Sequence, residues 1–413
     1  FFFKQKTAYE IKECDWSSDV CSSDLRCCFS SIVAIAVAVL AGCASPPAPR
    51  LPAHEIDLPS VPVGPLPLRA QASHRFIVPA GDSVVGTVVV TVAADDDTLP
   101  DIARRFDVGY EEIVRANPGV DPWLPGRGRE IVVPTAFVLP DAPMEGVVVN
   151  IAAMRLYYFP PVAKGAPRVV ITHPIGIGKV GWKTPEGVTR IVAKQSDPVW
   201  IPPDSVRKEH LENGDPLPAR VPAGPDNPLG AHLFRLSWPT YLIHGTNKPY
   251  GVGMRSSHGC LRLYPEDIRA LFETIPVGTK VQVVNQATVL GWRDGMAYVQ
   301  AFGRFEDDRK AAERPVPTAQ SMQQQLAGRR PAANPSVDWA AVARESRAAS
   351  GLPLPVSGQR EASRFSAVAA ATRVANSLPS GALWDGRGGS QEDERQYREM
   401  IDRKSTRLNS SHI

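Results

Sequence analysis

The sequence predicts a mainly β protein in which a small βααβ unit precedes a β-sandwich-like domain. Short β-branched runs recur at 146–150, 156–159, 169–175, 187–193, 240–244 and 280–284. Turns rich in Gly and Pro separate these runs, the pattern of an all-β sandwich or barrel-like domain. Earlier in the chain, Ile102, Ala103 and Phe106 repeat at helical spacing between two strand-forming runs, 84–92 and 131–134. Thr98 or Asp97 can cap that helix, and Pro100 is tolerated in its first turn. Another short helix is expected over 265–275, where Pro265 sits near the start.

Residues 1–25 and 404–413 resemble translated sequencing-adapter read-through and are set aside from the fold argument. They carry formal charges of −2 and +2, so the net charge of +3 stands. A balance so near zero selects no partner by itself, and no nucleic-acid partner is expected. Residues 26–43 hold an apolar run from Phe29 to Cys43, too short for a membrane span but the length of a signal-peptide core. Residues 44–73, rich in Pro and small residues, read as an extended tether.

Six cysteines are present. Cys14 and Cys21 lie in the adapter-like segment, Cys27 and Cys28 in the signal, and Cys43 at its end. Only Cys260 remains in the mature part. Without an intramolecular partner in an oxidising compartment, it reads as a reactive thiol.

Cys260 lies in Ser256-Ser257-His258-Gly259-Cys260-Leu261-Arg262, and His244-Gly245 precedes it by 16 positions. A thiolate is a strong nucleophile, and a histidine held beside it takes the proton. If 257–261 is extended, His258 and Cys260 share one face of a strand. Gly259 between them leaves room for a substrate backbone.

These residues, with Gly176-Ile177-Gly178, Thr184-Pro185-Glu186-Gly187, Pro198-Val199-Trp200-Ile201-Pro202-Pro203, Asn227-Pro228-Leu229-Gly230 and Tyr264-Pro265-Glu266-Asp267-Ile268, resemble the L,D-transpeptidase family, whose catalytic domain is the YkuD type. The resemblance covers 146–285 and implies a β-sandwich. It implies Cys260 as nucleophile, His258 as base, the Gly259 carbonyl as the group orienting the His258 ring, and Ser257 in the pocket. Backbone N–H groups near the cysteine would hold the oxyanion. His244 and Gly245 would shape the substrate pocket, and Arg262, with a weaker claim for Arg255, would pair with a substrate carboxylate. Trp200 and Tyr241 are candidates for the groove wall, although aromatics in such domains more often belong to the core.

Residues 74–135, and within them 97–134, resemble a LysM peptidoglycan-binding module, although Asp95 and Asp96 stand where that module usually has a glycine. Leu40-Ala41-Gly42-Cys43 resembles a bacterial lipobox, which implies lipid on Cys43, and Ala44 is similar to the sorting position of outer-membrane lipoproteins. Together these imply a periplasmic enzyme, lipid-anchored to the outer membrane of a diderm bacterium. Cys260 would attack a tetrapeptide stem, release D-Ala and pass the acyl group to an amine. The acceptor is left open: diaminopimelate gives a 3→3 cross-link, a protein lysine attaches an outer-membrane protein to the wall, and water gives a carboxypeptidase. No cofactor is expected. Two rival classes are a zinc hydrolase using His244, His258 and Cys260, and a non-catalytic wall anchor.

Residues 286–304 are expected to form an extra hairpin around Asp294-Gly295. Residues 305–403, rich in Arg, Ala, Pro, Ser and Gln, are expected to be a largely disordered tail, with helices over 337–349 and 363–378 as the exceptions.

Overall fold

The computed structural model describes residues 74–305 except 213 and 215, then 336–358, 363–379, 382 and 384–387. The expected signal, Cys43, the tether and both terminal segments lie outside the described residues. In chain order the elements begin with β1 (His74–Val78), β2 (Val84–Gly86), β3 (Val89–Val92), α1 (Leu99–Arg105), α2 (Tyr110–Ala116), β4 (Glu130–Val133) and β5 (Ala136–Val138). Next come β6 (Gly146–Asn150), β7 (Arg155–Phe159), β8 (Arg168–Pro174), β9 (Ile177–Gly178), β10 (Gly187–Ser196), α3 (Asp204–Glu212), β11 (His232–Leu236), β12 (Leu242–His244), β13 (Arg255–Ser257), β14 (Leu261–Arg262), α4 (Pro265–Thr274) and β15 (Lys280–Val284). Last are β16 (Thr288–Arg293), β17 (Met296–Ala301), α5 (Trp339–Ala348), β18 (Leu354–Pro355), α6 (Arg364–Ala369) and β19 (Thr372–Arg373).

The fold is mainly β. Nine strands form one mixed sheet in the order β1-β8-β7-β6-β15-β10-β11-β12-β14. Strand β10 joins its two halves. Gly187–Arg190 pair with β15, and Ile191–Ser196 pair with β11, with an irregularity between Ile191 and Ala193. Such a bulge bends a strand and lets the sheet fold over. Val147, Leu156 and Val281 from one half then share a core with Phe234, Ile243 and Leu261 from the other. Strands β6 and β7 are buried on both faces. Val147 and Val149 enter that core, while Val148, Tyr157 and Phe159 enter a second one. Their sequence therefore reads as an unbroken apolar run rather than an alternation. Helix α4 buries Ile268 and Leu271, with Ile275 following, one stripe at helical spacing.

Strands β3 and β4 pair antiparallel around α1 and α2. Thr98 caps α1: its Oγ1 accepts from the Asp101 N–H at 3.2 Å while the Asp101 carboxylate accepts from the Thr98 N–H at 2.9 Å. Asp97, the other candidate cap, accepts from the Ala94 N–H instead. Asn117 ends α2 and is fully used. Its Nδ2 donates to the Ile113 and Val132 carbonyls at 2.8 and 2.7 Å, and its Oδ1 accepts from the Val132 N–H at 2.8 Å.

Arg155 docks this unit on the sheet. It is 0% exposed and meets Glu112 of α2 in a two-pronged ion pair at 2.7 and 2.8 Å. Its guanidinium also lies over the Phe137 ring.

Strands β16 and β17 form a hairpin whose turn is Asp294-Gly295, both at positive φ, the geometry such dipeptides favour. Of the expected tail, much lies outside the described residues, and the described stretch 336–358 is packed. Val342, Leu352, Leu354 and Val356 are buried against Trp292 and Val299 of that hairpin. Strand β18 adds to β17, and β19 pairs with β3. The Ala-rich composition concealed this because a few apolar residues suffice when a preformed hairpin face receives them. The second tail helix is short: of the expected 363–378, only Arg364–Ala369 is helical.

Replacing Asn117 by Ala strands three buried backbone groups, and each unmade bond of this kind costs roughly 1–3 kcal/mol. Urea unfolding of Asn117→Ala is expected to show a loss of about 3 kcal/mol. A loss below about 1 kcal/mol would show that water substitutes freely there.

Candidate active site

Strands β12 and β14 run parallel, with Ile243 opposite Leu261 and His244 opposite Arg262. Ile243 and Leu261 both point into the core. Side chains alternate along a strand, so His244 and Arg262 lie on the opposite face, and Cys260 directly precedes β14. This pairing brings together residues 18 apart in sequence.

The expected extended run through 257–261 is not found. The strand breaks at His258–Cys260, where Gly259 adopts φ +102. Ser257, 1% exposed, closes the bend: its Oγ accepts from the Gly259 N–H at 3.1 Å and donates to the Cys260 carbonyl at 2.6 Å. A side chain at 259 would be strained, and its Cβ would meet the Tyr241 ring at 3.0 Å. The room beside Gly259 is therefore filled by Tyr241 rather than left for substrate. Tyr241 itself packs against the main core. Trp200 exchanges backbone hydrogen bonds with Val221 at the start of the α3 excursion.

Cys260 is a free, partly exposed thiol, and its Sγ lies 3.6 Å from the Thr240 carbonyl. Burial pushes its pKa up, while a backbone hydrogen bond from Leu242 and the charge of Arg262 pull the other way. Arg262 is in turn held below its ordinary value by burial. Its Nη1 makes only long bonds to Ser256, at 3.3 and 3.4 Å, and its buried Nε has no partner among the described residues. Arg255 points elsewhere, stacking its guanidinium 4.5 Å from the Phe305 ring.

The two histidines differ. His258 is partly exposed and its Nε2 faces Glu209 Oε2 of α3 at 2.9 Å. Lys179 ion-pairs with the same carboxylate, and the Trp182 ring stands edge-on to the His258 ring at 4.8 Å. Burial lowers the His258 pKa, and Glu209 offsets part of this. The Gly259 carbonyl, expected to orient His258, instead accepts from Thr184 Oγ1 at 2.9 Å. The turn at Gly259 aims that carbonyl at Thr184.

The carbonyl-held histidine is His244. It is 3% exposed, with Nδ1 2.6 Å from the Gly245 carbonyl. Nδ1 therefore carries the proton, since a carbonyl can only accept. Burial, reinforced by Arg262, pushes the His244 pKa down to about 3. Gly230 makes room for this strand end: a Cβ there would lie 2.8 Å from the Thr246 nitrogen.

Glu209, Lys179, Trp182 and Thr184 escaped the sequence reading as site residues. Thr184 stood in a recognised stretch, Thr184-Pro185-Glu186-Gly187, whereas α3 carries no local signal that would send Glu209 to His258.

The match to a description of the L,D-transpeptidase catalytic domain (YkuD) covers residues 145–283. The chain is 44% identical over 225 residues to a probable L,D-transpeptidase, YcfS, of Escherichia coli strain K12, covering 53% of this chain and 69% of that protein. It is 37% identical over 308 residues to the probable L,D-transpeptidase ErfK/SrfK of the same strain, covering 70% and 95%. The chain belongs to the L,D-transpeptidase family. Among solved structures, an L,D-transpeptidase from Mycobacterium smegmatis aligns at 22% identity and TM-score 0.24, over 33% of this chain and 57% of that one.

The His244 pKa makes a stability prediction. Its folded value, about 3, lies below the ordinary ~6.5. Stability from keeping this ring neutral is full above pH ~6.5 and is lost as pH falls toward 3, at up to about 1.4 kcal/mol per unit. Urea unfolding at pH 7 and pH 5 is expected to cost the wild type about 2 kcal/mol more than His244→Gln. Equal losses in the two proteins would contradict the buried neutral imidazole.

Proposed function

We propose that the chain is a peptidoglycan L,D-transpeptidase that uses Cys260 as its nucleophile. The observation that carries this reading is the pairing of β12 with β14, which sets a carbonyl-oriented histidine opposite an under-used guanidinium, with the partly exposed Cys260 thiol directly before β14. Cys260 Sγ attacks the stem-peptide carbonyl, D-Ala leaves as its amine takes a proton, and a thioester remains. An acceptor amine then attacks the thioester, giving up a proton and returning the thiol.

The structure supports His244, rather than His258, as the base. With Nδ1 protonated against Gly245, Nε2 would be the nitrogen that acts as base, the arrangement of a nucleophile, a base and an orienting group. The resting pair is neutral, since burial disfavours both thiolate and imidazolium. The proton therefore moves as the thiol attacks. His258 is occupied by Glu209 and shapes the wall of the site with Trp182. Arg262, with its unpartnered Nε, takes a substrate carboxylate.

The βααβ unit is read as a LysM-like module that holds the enzyme on glycan. The lipidated Cys43 and the tether would place it in the periplasm on the outer membrane. Those two readings rest on sequence alone.

Mass spectrometry of tetrapeptide-bearing muropeptides incubated with wild type and with Cys260→Ala tests the reaction. A 3→3 dimer and free D-Ala are expected from the wild type only. Loss of D-Ala without a dimer would assign a carboxypeptidase or a protein acceptor. Equal products from both proteins would remove Cys260 from the reaction.

A further inference from the structure

A second constellation lies outside the thiol site. Asp107 follows α1, His173 lies on β8, and Asp267 sits in the first turn of α4. All three are buried, and one ligand atom from each falls within 4.8 Å of the others. His173 Nδ1 is 3.0 Å from Asp107 Oδ2 and 3.2 Å from Asp267 Oδ1. A fourth buried group, His74 of β1, brings its Nδ1 to 3.6 Å from the same Asp107 oxygen.

We propose that Asp107, His173 and Asp267 form a structural binding site for one divalent transition-metal ion, Zn2+ in the first instance, with His74 beside it.

The spacing fits. Nitrogen and oxygen ligands at ~2.1 Å from an ion lie roughly 3.0–3.4 Å from each other in octahedral or tetrahedral arrangements. Two carboxylates and imidazole nitrogen form a donor set suited to Zn2+ or its neighbours. A divalent ion also balances two carboxylates held together away from water.

The protein's own hydrogen bonds do not satisfy the cluster. One Nδ1 proton serves two carboxyl groups, which also hydrogen-bond each other. Asp107 Oδ1, Asp267 Oδ2, His173 Nε2 and His74 Nδ1 are all buried and have no hydrogen-bond partner. Buried polar atoms are nearly always paired. His173 Nε2 lies across the ring from Nδ1 and could not reach the same ion, but His74 Nδ1, 3.6 Å from Asp107 Oδ2, faces the cluster and has no partner. Asp107 also holds a left-handed backbone at φ 51, unusual for a residue with a side chain. Such strain persists where the surroundings fix it. Here Arg155 Nη2 donates to the Asp107 carbonyl at 3.0 Å.

The position gives the ion a role. It would tie the βααβ unit through Asp107 to the main sheet through His173. It would also tie both to α4, which directly follows the strand carrying Arg262. The sequence reading expected no metal because these ligands are scattered over 160 positions and form no local motif.

The test uses the untagged full chain, with Cys260→Ala as background so that the thiol cannot hold zinc. After incubation with Zn2+ and gel filtration, elemental analysis is expected to find one ion per chain in the wild type and in Cys260→Ala. Addition of His173→Gln or Asp267→Asn to that background is expected to abolish it. Chelation with dipicolinate should lower the midpoint of thermal unfolding, and Zn2+ should restore it. Should either added variant fail to fold, the metal content and chelator response of Cys260→Ala still decide. No stoichiometric ion and no chelator response would overturn the proposal and leave a buried imidazolium between two carboxylates. Equal zinc in folded ligand variants would also overturn it.

Discussion

The parallel pairing of β12 with β14 is the constraint on which the site depends. Two strands of three and two residues cannot be stable alone. They hold because Ile243 and Leu261 are buried in the main core while β11 pairs with β12 on its other edge. Core packing on one face thereby fixes the chemistry on the other. A one-residue slip of β14 would turn Cys260 into the core and Leu261 out of it. The register is consequently protected by the hydrophobic effect rather than by any contact among the reactive groups.

The same burial sets the electrostatics. Burial pushes Cys260, Arg262 and His244 toward their neutral forms; Cys260 and Arg262 partly offset this for each other, while Arg262 adds to it at His244. In water a thiol and an imidazole would share a proton with little direction. Here the Gly245 carbonyl fixes the imidazole tautomer, and the guanidinium supplies a nearby positive charge. The thiol and the imidazole are thus held neutral at rest beside that charge, which favours negative charge developing as substrate arrives. The α3 excursion between β10 and β11 adds a polar wall through Lys179, Glu209 and His258.

Much of this was legible in the sequence, for identifiable reasons. Residues 255–262 and 244–245 announced the site because catalysis needs particular residue types in short, fixed spans. The two-sided burial of β6 and β7 was written as an apolar run, and Asp294-Gly295 as a hairpin turn. What stayed hidden was geometry set by tertiary contacts. The alternation rule placed His258 and Cys260 on one strand face, but Gly259 at φ +102 breaks that strand. The Gly259 carbonyl expected to orient His258 meets Thr184 instead, and a different carbonyl, that of Gly245, holds His244. The packed part of the tail was missed because Leu352, Leu354 and Val356 become core residues only when the β16–β17 hairpin is present. The Asp107, His173 and Asp267 cluster assembles from three distant elements, which no window along the chain can show.

The central claim is that Cys260 and His244 act as one acid–base pair, with His258 outside it. The most direct measurement is the rate of Cys260 alkylation by iodoacetamide across pH, in wild type, His244→Asn and His258→Asn. His244→Asn is expected to change the shape of the wild-type profile to that of an isolated buried thiol, while His258→Asn keeps the wild-type shape. A profile that changes in His258→Asn and survives in His244→Asn would contradict it and return the base to His258.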